Sequence, residues 1–368
     1  MLECLLGVQV SEATTRRQTE QAGELAEAVQ TAQVQEQTEG VKAGTTTARL
    51  VVSADGAYVP LLKGEWAEVR TVAIGEVEAD GTTASEHEIH VRQVSYFSRL
   101  SDAETFADLA EVEMRRREVS QAKEVCAVTD GADWLQGFFD LHRPDALRIL
   151  DFPHAAEHLN LVIQALQQAG IHVPPDLLPR LLHRLKHRGP RLLSRLLQRL
   201  PSHIIQQEGV REHVSYLCKR EALMQYPQYR EQGWPIGSGM VESANKIVVE
   251  VRLKGAGMHW ERQHVNPMLT LRNAVCNERW LEVWQESISE RCHQRQVRRQ
   301  QQATERWQQM VSSLMLLLLQ LRPPTPKPVP PPARPKVPAA TLPGSCRPSA
   351  HHPWKRTSAC RRKLVAKN

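Results

Sequence analysis

The chain has few of the features that would place it outside a reducing, aqueous compartment. Its seven cysteines are odd in number and include no Cys-x-x-Cys pair, which argues against both a disulfide framework and a zinc ribbon. The longest apolar run, Leu314 to Leu319, falls far short of the roughly 20 residues a membrane helix needs. The start, Met1 to Gly7, has no basic stretch followed by a long apolar one, so no signal peptide is expected. Neither charge sign dominates: 47 Lys and Arg stand against 41 Asp and Glu, for a net charge of +6. That balance leans towards a polyanionic partner without being extreme. No Ser, Tyr or Cys nucleophile motif stands out. A soluble, cytoplasmic protein with no membrane association is expected, and 368 residues suffice for one large domain or two smaller ones.

What is present is a set of three short acidic motifs set far apart: Ser53-Ala54-Asp55-Gly56, Thr129-Asp130-Gly131, and Gly237-Ser238-Gly239-Met240-Val241-Glu242-Ser243. The first two end apolar runs that read as strands, and the third opens a helix. Each has an ordinary explanation. Asp-Gly is a common turn dipeptide at a strand end, and a glutamate in a first helical turn is favoured by the helix dipole. Their order along the chain is what points to a shared site.

That order follows from the periodicities. Residues 1–47, rich in Glu, Gln, Thr and Ala, predict a helix from Glu12 to Gln30 capped by Ser11, either a lead-in or part of a helix-turn-helix. Arg49 to Ser53 with Tyr58 to Leu62, then Trp66 to Glu76, then His90 to Phe97 read as three consecutive strands. A helix is predicted from Asp102 to Ala122, a strand from Val125 to Val128, a helix from Trp134 to Leu141, and a strand from Ala146 to Leu150. The sequence β-β-β-α-β-α-β argues for a mixed α/β sheet flanked by helices. It matches a ribonuclease-H-like core, in which the first strand is central and lies beside the fourth, making Asp55 and Asp130 neighbours.

The expected divisions are a helical segment, 1–47; the first part of the core, 48–154; an all-helical basic insertion, 155–232; the second part of the core with C-terminal helices, 233–321; and a Pro-rich basic tail expected to be disordered, 322–368. Between Leu177 and Leu200 leucine pairs alternate with Arg180, Arg184, Lys186, Arg188, Arg191, Arg195 and Arg199. Those cations either follow phosphates or are the solvated face of an amphipathic helical pair.

Phosphodiester cleavage needs an in-line nucleophile and stabilisation of charge on attacking and leaving oxygens, which two Mg²⁺ ions about 4 Å apart supply. Such ions take hard oxygen ligands and keep several waters, so a few carboxylates suffice. Crowding the carboxylates raises their pKa values, a cost that bound cations reverse.

The stretches SADGAYVPL, GEWAEVRTVAIGEV, VTDGADWL, ILDFPHAAEHL, GWPIGSGMVESANK and RLKGAGMHWERQHVNPMLTLRNAVCNERW together resemble bacterial insertion-sequence transposases of the DDE type, in the ISKra-type lineage and distantly similar to Mutator-like elements. The resemblance covers roughly residues 45–290. It implies a ribonuclease-H-like catalytic domain with a helical insertion before the glutamate. It also implies Asp55, Asp130 and Glu242 as a triad holding two Mg²⁺ or Mn²⁺ ions, and DNA as partner, both element terminal repeats and target, bound by a homo-oligomer in the bacterial nucleoid. A DNA-binding remnant that no longer cuts, and a nuclease on the same core, are the rival readings.

Three smaller expectations accompany the triad. Asp151 and His154, in Asp-Phe-Pro-His, resemble an accessory motif that follows the second catalytic aspartate in related transposases. Asp151 as the second metal ligand, or as a plain helix cap, are the alternatives. His154 and His158 are one helical turn apart, a zinc-like spacing with no further ligand motif. Asn245 and Lys246, one turn beyond Glu242, together with Arg252, Lys254, His259, Trp260 and Arg262, are expected to face DNA. Trp234 and Trp260 either stack on an unpaired base or pack in the core.

Overall fold

The computed structural model describes residues 10–35, 46–78, 89–206 and 208–320. Two compact units divide the chain, Met1–Gln301 and Gln302–Asn368. The Pro-rich tail lies outside the described residues.

The first unit is built on a five-stranded mixed sheet in the order β3-β2-β1-β4-β5, formed by β1 (Thr46–Pro60), β2 (Trp66–Val77), β3 (Val91–Arg99), β4 (Ala122–Thr129) and β5 (Leu147–Leu150). β1 is central, antiparallel to β2 and parallel to β4. This is the neighbour relation the order of elements predicts. The central strands alternate their side chains between two apolar layers. Leu50, Val52, Val125 and Ala127 face one side, where Phe106, Phe138 and Phe139 pack on them. Val51, Cys126 and Val128 face the other.

Helix α1 (Glu12–Gln35) starts where expected, with Ser11 Oγ accepting from Thr14 N at 3.2 Å. It packs against a later core helix: a Cβ on Gly23 would meet the Pro267 carbonyl oxygen at 2.6 Å, so only glycine lets the two backbones come this close. Gln30 and Thr270 both accept from the guanidinium of the fully buried Arg99. α2 (Ala103–Arg116) opens on Asp102, whose carboxylate accepts from Thr105 N at 2.9 Å. It ends well before the expected Ala122, because Glu118 adopts left-handed φ of 52° and Ala122 is already paired with Thr46 in the sheet.

Next come α3 (Asp133–His142) and α4 (Phe152–Gln168). Residues 177–231 are wholly helical apart from their connections: α5 (Leu177–Arg188), α6 (Arg191–Gln198), α7 (Ser202–Ile205), α8 (Glu208–Lys219) and α9 (Tyr226–Glu231). Their buried residues Leu185, Leu193, Leu197, Val210 and Leu217 join the layer that covers Cys126 and Val128. α10 (Gly239–Ala244) continues through a π-helical stretch, Asn245–Glu250, into a last turn, Val251–Leu253. α11 (Arg262–Cys276) follows. The chain then turns at Glu278, φ 58°, before α12 (Trp280–Gln320). In the second unit residues 302–320 are helical with exposed side chains. Among the described residues no helix is long and apolar enough to cross a membrane.

Candidate active site

Asp55 does not follow a strand, as its Asp-Gly motif suggests, but lies inside β1. The antiparallel ladder to β2 runs on through Asp55↔Thr71 and Gly56↔Arg70, whereas the parallel pairing to β4 ends at Val52↔Ala127. Past Val52, β1 is therefore open on its β4 side, and the half-buried Asp55 carboxylate sits at that opening. Gly56 N donates to its Oδ1 at 2.7 Å and Asn245 Nδ2 to its Oδ2 at 2.9 Å.

Asp130 stands directly after β4, where Oδ1 accepts from Ala132 N at 2.9 Å in the turn that Asp favours. Gly131 next to it has φ 76°, and a Cβ there would meet Arg220 Nε at 2.5 Å. Glu242 lies in the first turn of α10, exposed, with Ser238 Oγ donating to its Oε1 at 3.3 Å.

Asp151 sits behind these three, fully buried. Its Oδ2 accepts from His154 N at 3.0 Å and lies 2.7 Å from His154 Nδ1, and its Oδ1 accepts from Ser238 N at 2.6 Å. Asp151 N donates to Thr129 O at 2.7 Å, and Phe152 N to Ile236 O at 2.9 Å. The Asp151 carboxylate thus ties the start of α4 to the Gly237-Ser238-Gly239 turn that leads to Glu242, while the backbone amide of Asp151 fastens the end of β4. It caps α4 as well, and its oxygens are occupied by donors from the protein.

The electrostatics join the same residues. Burial pushes the Asp55 pKa up; the Gly56 amide and protonated His154 oppose this, while the carboxylates of Asp130 and Glu242 add to it. His154 is raised to about 9, first by its hydrogen bond to Asp151 and, against some desolvation, by the charges of Asp151, Asp130 and Asp55. A cationic imidazole at neutral pH therefore borders the acidic group. Among the described residues no three His, Cys, Asp or Glu side chains gather closely enough, as they stand, to hold a metal ion. The oxygen atoms available are nevertheless of the hard type that Mg²⁺ and Mn²⁺ take. Asn245, 6 % exposed, also has a buried Oδ1 with no hydrogen-bond partner beside Asp55.

The remaining sequence-predicted residues divide. Asn245, expected to face DNA, instead has its side chain turned inward to Asp55. Lys246 and Arg262 are exposed. Lys254 pairs with Glu250 at 2.7 Å, and His259 is exposed with Nδ1 3.4 Å from Gly257 O. Arg252 lies 5.1 Å over the Trp260 ring. Trp260 fastens its loop to the sheet, with Nε1 donating to Leu253 O at 3.1 Å and its backbone bonded to Pro60 and Leu62. Trp234 is buried beneath Arg49, 4.0 Å away, and is not presented to a base.

Two residues escaped the sequence reading. The Tyr216 hydroxyl donates to the Asp130 carbonyl, and the Arg220 guanidinium to the Gly131 carbonyl. Tyr216 is stacked on His158, centroids 3.6 Å apart, and the Arg220 guanidinium lies 4.1 Å over the Tyr216 ring. His158 meets His213 at 3.0 Å and is lowered to about 4, by desolvation and then by His213. The histidines at zinc-like spacing thus serve different partners. Tyr216 and Arg220 are one helical turn apart, a spacing visible in the sequence, but their target is not.

Fold and site together describe a mixed α/β domain with Asp55 on β1 beyond its pairing with β4 and Asp130 directly after β4. The chain belongs to the Uncharacterised protein family (UPF0236), matched over residues 3–285. No curated protein matches it. Among solved structures, one of the catalytic domain of Mos1 transposase, determined with Raltegravir and Mg, shows a weak similarity at 11 % identity and a TM-score of 0.15, covering 59 % of this chain and 98 % of that one.

Proposed function

We propose that the chain is the DDE transposase of a bacterial insertion sequence, of the ISKra-type lineage and ribonuclease-H-like fold, that cuts DNA at element ends and joins them to target DNA. The observation that supports this reading is electrostatic: burial and then the Asp130 and Glu242 carboxylates raise the pKa of Asp55, which sits where β1 has lost its β4 partner. Asp55, raised by burial and by two further carboxylates and partly offset by His154, stands beside an unpartnered buried amide oxygen, an arrangement whose charge divalent cations would complement.

Asp55, Asp130 and Glu242 would hold two Mg²⁺ or Mn²⁺ ions, which when bound supply an activated water and neutralise charge on the leaving oxygen. The protein's own part is positional. Asn245 and Gly56 fix the Asp55 carboxylate, and the Asp130 turn is held at its carbonyls by Tyr216 and Arg220. Asp151 sets the helix start that presents Glu242. His154 places a positive charge at the edge of the site, where a phosphate's charge is favoured. Lys246, Arg252 and Arg262 are assigned to the DNA path.

The test is a cleavage assay with Mn²⁺ and a duplex carrying the element's terminal repeat. Nicking followed by joined products is expected, and Asp55→Ala, Asp130→Ala and Glu242→Ala are each expected to lose it by at least about 100-fold, beyond the 10–100-fold usual for residues behind a ligand shell. Cutting that ignores the repeat and yields no joined product would make the protein a nuclease. Binding without any cutting would make it a remnant.

A further inference from the structure

The helices before Glu242 carry a charge distribution that the acidic site does not use. Residues 177–207 contain seven of the chain's 47 Lys and Arg and none of its 41 Asp and Glu. This short segment alone has a charge as large as the +6 of the whole chain. Two arginine rows follow from the spacing: Arg180, Arg184 and Arg188 on α5, and Arg191, Arg195 and Arg199 on α6 and its cap. A step of four residues rises about 6 Å and returns to nearly the same face.

The structure turns Leu185, Leu193 and Leu197 inward and these arginines outward, with Leu192 and Leu196 also exposed on α6. Leu185, Leu193 and Leu197 are buried in the core layer, while all six arginines are exposed. Arg180 meets Asp176 at 3.3 Å. Among the described residues none of the other five makes an ion pair. His187 is harder to protonate than usual, first through desolvation and then through His183, Arg230 and Lys186. A surface that serves only solubility mixes charge signs; this one does not.

We infer that the outer face of α5 and α6 is a phosphate-tracking surface for the backbone of duplex DNA. Each row spans about 12 Å, the axial length of about three phosphates on one strand at 3.4 Å each. Guanidinium groups take phosphate oxygens two at a time, and beyond Asp176, which pairs with Arg180, residues 177–207 add no carboxylate that would repel a polyanion. Binding here is sequence-independent and separate from cutting. It rests on the transposase reading only for the choice of duplex DNA as the polyanion.

The test measures affinity for a random-sequence duplex against salt concentration, in EDTA so that no strand is cut. The full chain is compared with the triple variant Arg191→Gln, Arg195→Gln, Arg199→Gln and with a control of equal charge change on α12, Arg291→Gln, Arg295→Gln, Arg298→Gln. The α6 variant is expected to reduce the slope of log affinity on log salt by about 2 to 3, at about 0.9 per phosphate contact, with an unchanged melting temperature. Asp55→Ala should keep the wild-type slope, so failure of cleavage and failure of this surface are distinguishable. An α6 slope equal to that of the α12 control overturns the proposal. So does unchanged DNA binding combined with weakened binding to polyglutamate, which would give the surface to an acidic protein.

Discussion

The opening between β1 and β4 and the outer face of α5 and α6 treat charge in opposite ways. At the opening, carboxylates are tied down: Asp151 by His154 and Ser238, Asp55 by Gly56 and Asn245, Asp130 by Ala132. On α5 and α6 the arginines stand in solvent, and beyond Arg180 they have no described ion-pair partner. Chemistry at one atom needs charge held within fractions of an ångström, whereas backbone tracking needs charge in quantity and tolerates motion. The difference predicts that substitutions in the first region alter stability and rate, and in the second only salt-dependent affinity.

The sharpest break is expected from Asp151→Ala. It strands the Ser238 amide and the His154 donors in the interior and should cost about 3–5 kcal/mol, read as a lower urea midpoint at unchanged slope. Gly131→Ala comes next. Its φ of 76° and the Arg220 contact should cost about 1–2 kcal/mol and weaken metal-dependent cutting through the displaced Asp130 turn, checked by melting and nicking in parallel. Asn245→Ala should lower cleavage about 10–100-fold while moving stability much less, a split between rate and midpoint. A smaller effect belongs to pH. Because the folded-state pKa of His154 is raised from 6.5 to about 9, its contribution is complete below pH 6.5 and is lost as pH rises through about 9. Denaturation midpoints should fall across that window, and His154→Gln should flatten the fall. Smallest of all, the three α6 arginine substitutions should change stability by no more than about 0.5 kcal/mol; a large loss there would mean the arginines are part of the packing and would erase the contrast.

The sheet was legible because its cause is local. Alternating apolar runs and the turns between them set which strands form, and the neighbouring of β1 and β4 follows from their order. The end of α2 was not, since a left-handed Glu118 leaves no compositional mark. The apolar pattern ends a strand just before Asp55, while the strand runs through it, for a related reason: whether a strand continues past an Asp-Gly pair depends on its partner, here Thr71 and Arg70 of β2. In the site, the acidic residues were visible as motifs, but the inward turn of Asn245 depends on π-helical backbone and on packing against β1. The hold of Tyr216 and Arg220 on the Asp130 turn joins segments distant in sequence, and no local spacing encodes such a contact.

The central claim, that Asp55, Asp130 and Glu242 form a metal site which Asp151 supports from behind, is tested most directly by titrating Mn²⁺ into the folded protein and its single variants by electron paramagnetic resonance, with duplex DNA present. The account predicts tight binding in the native protein, lost in Asp55→Ala, Asp130→Ala and Glu242→Ala and retained in Asp151→Asn under conditions where it remains folded. Binding retained in Asp130→Ala and abolished in folded Asp151→Asn would contradict it and make Asp151 the second ligand.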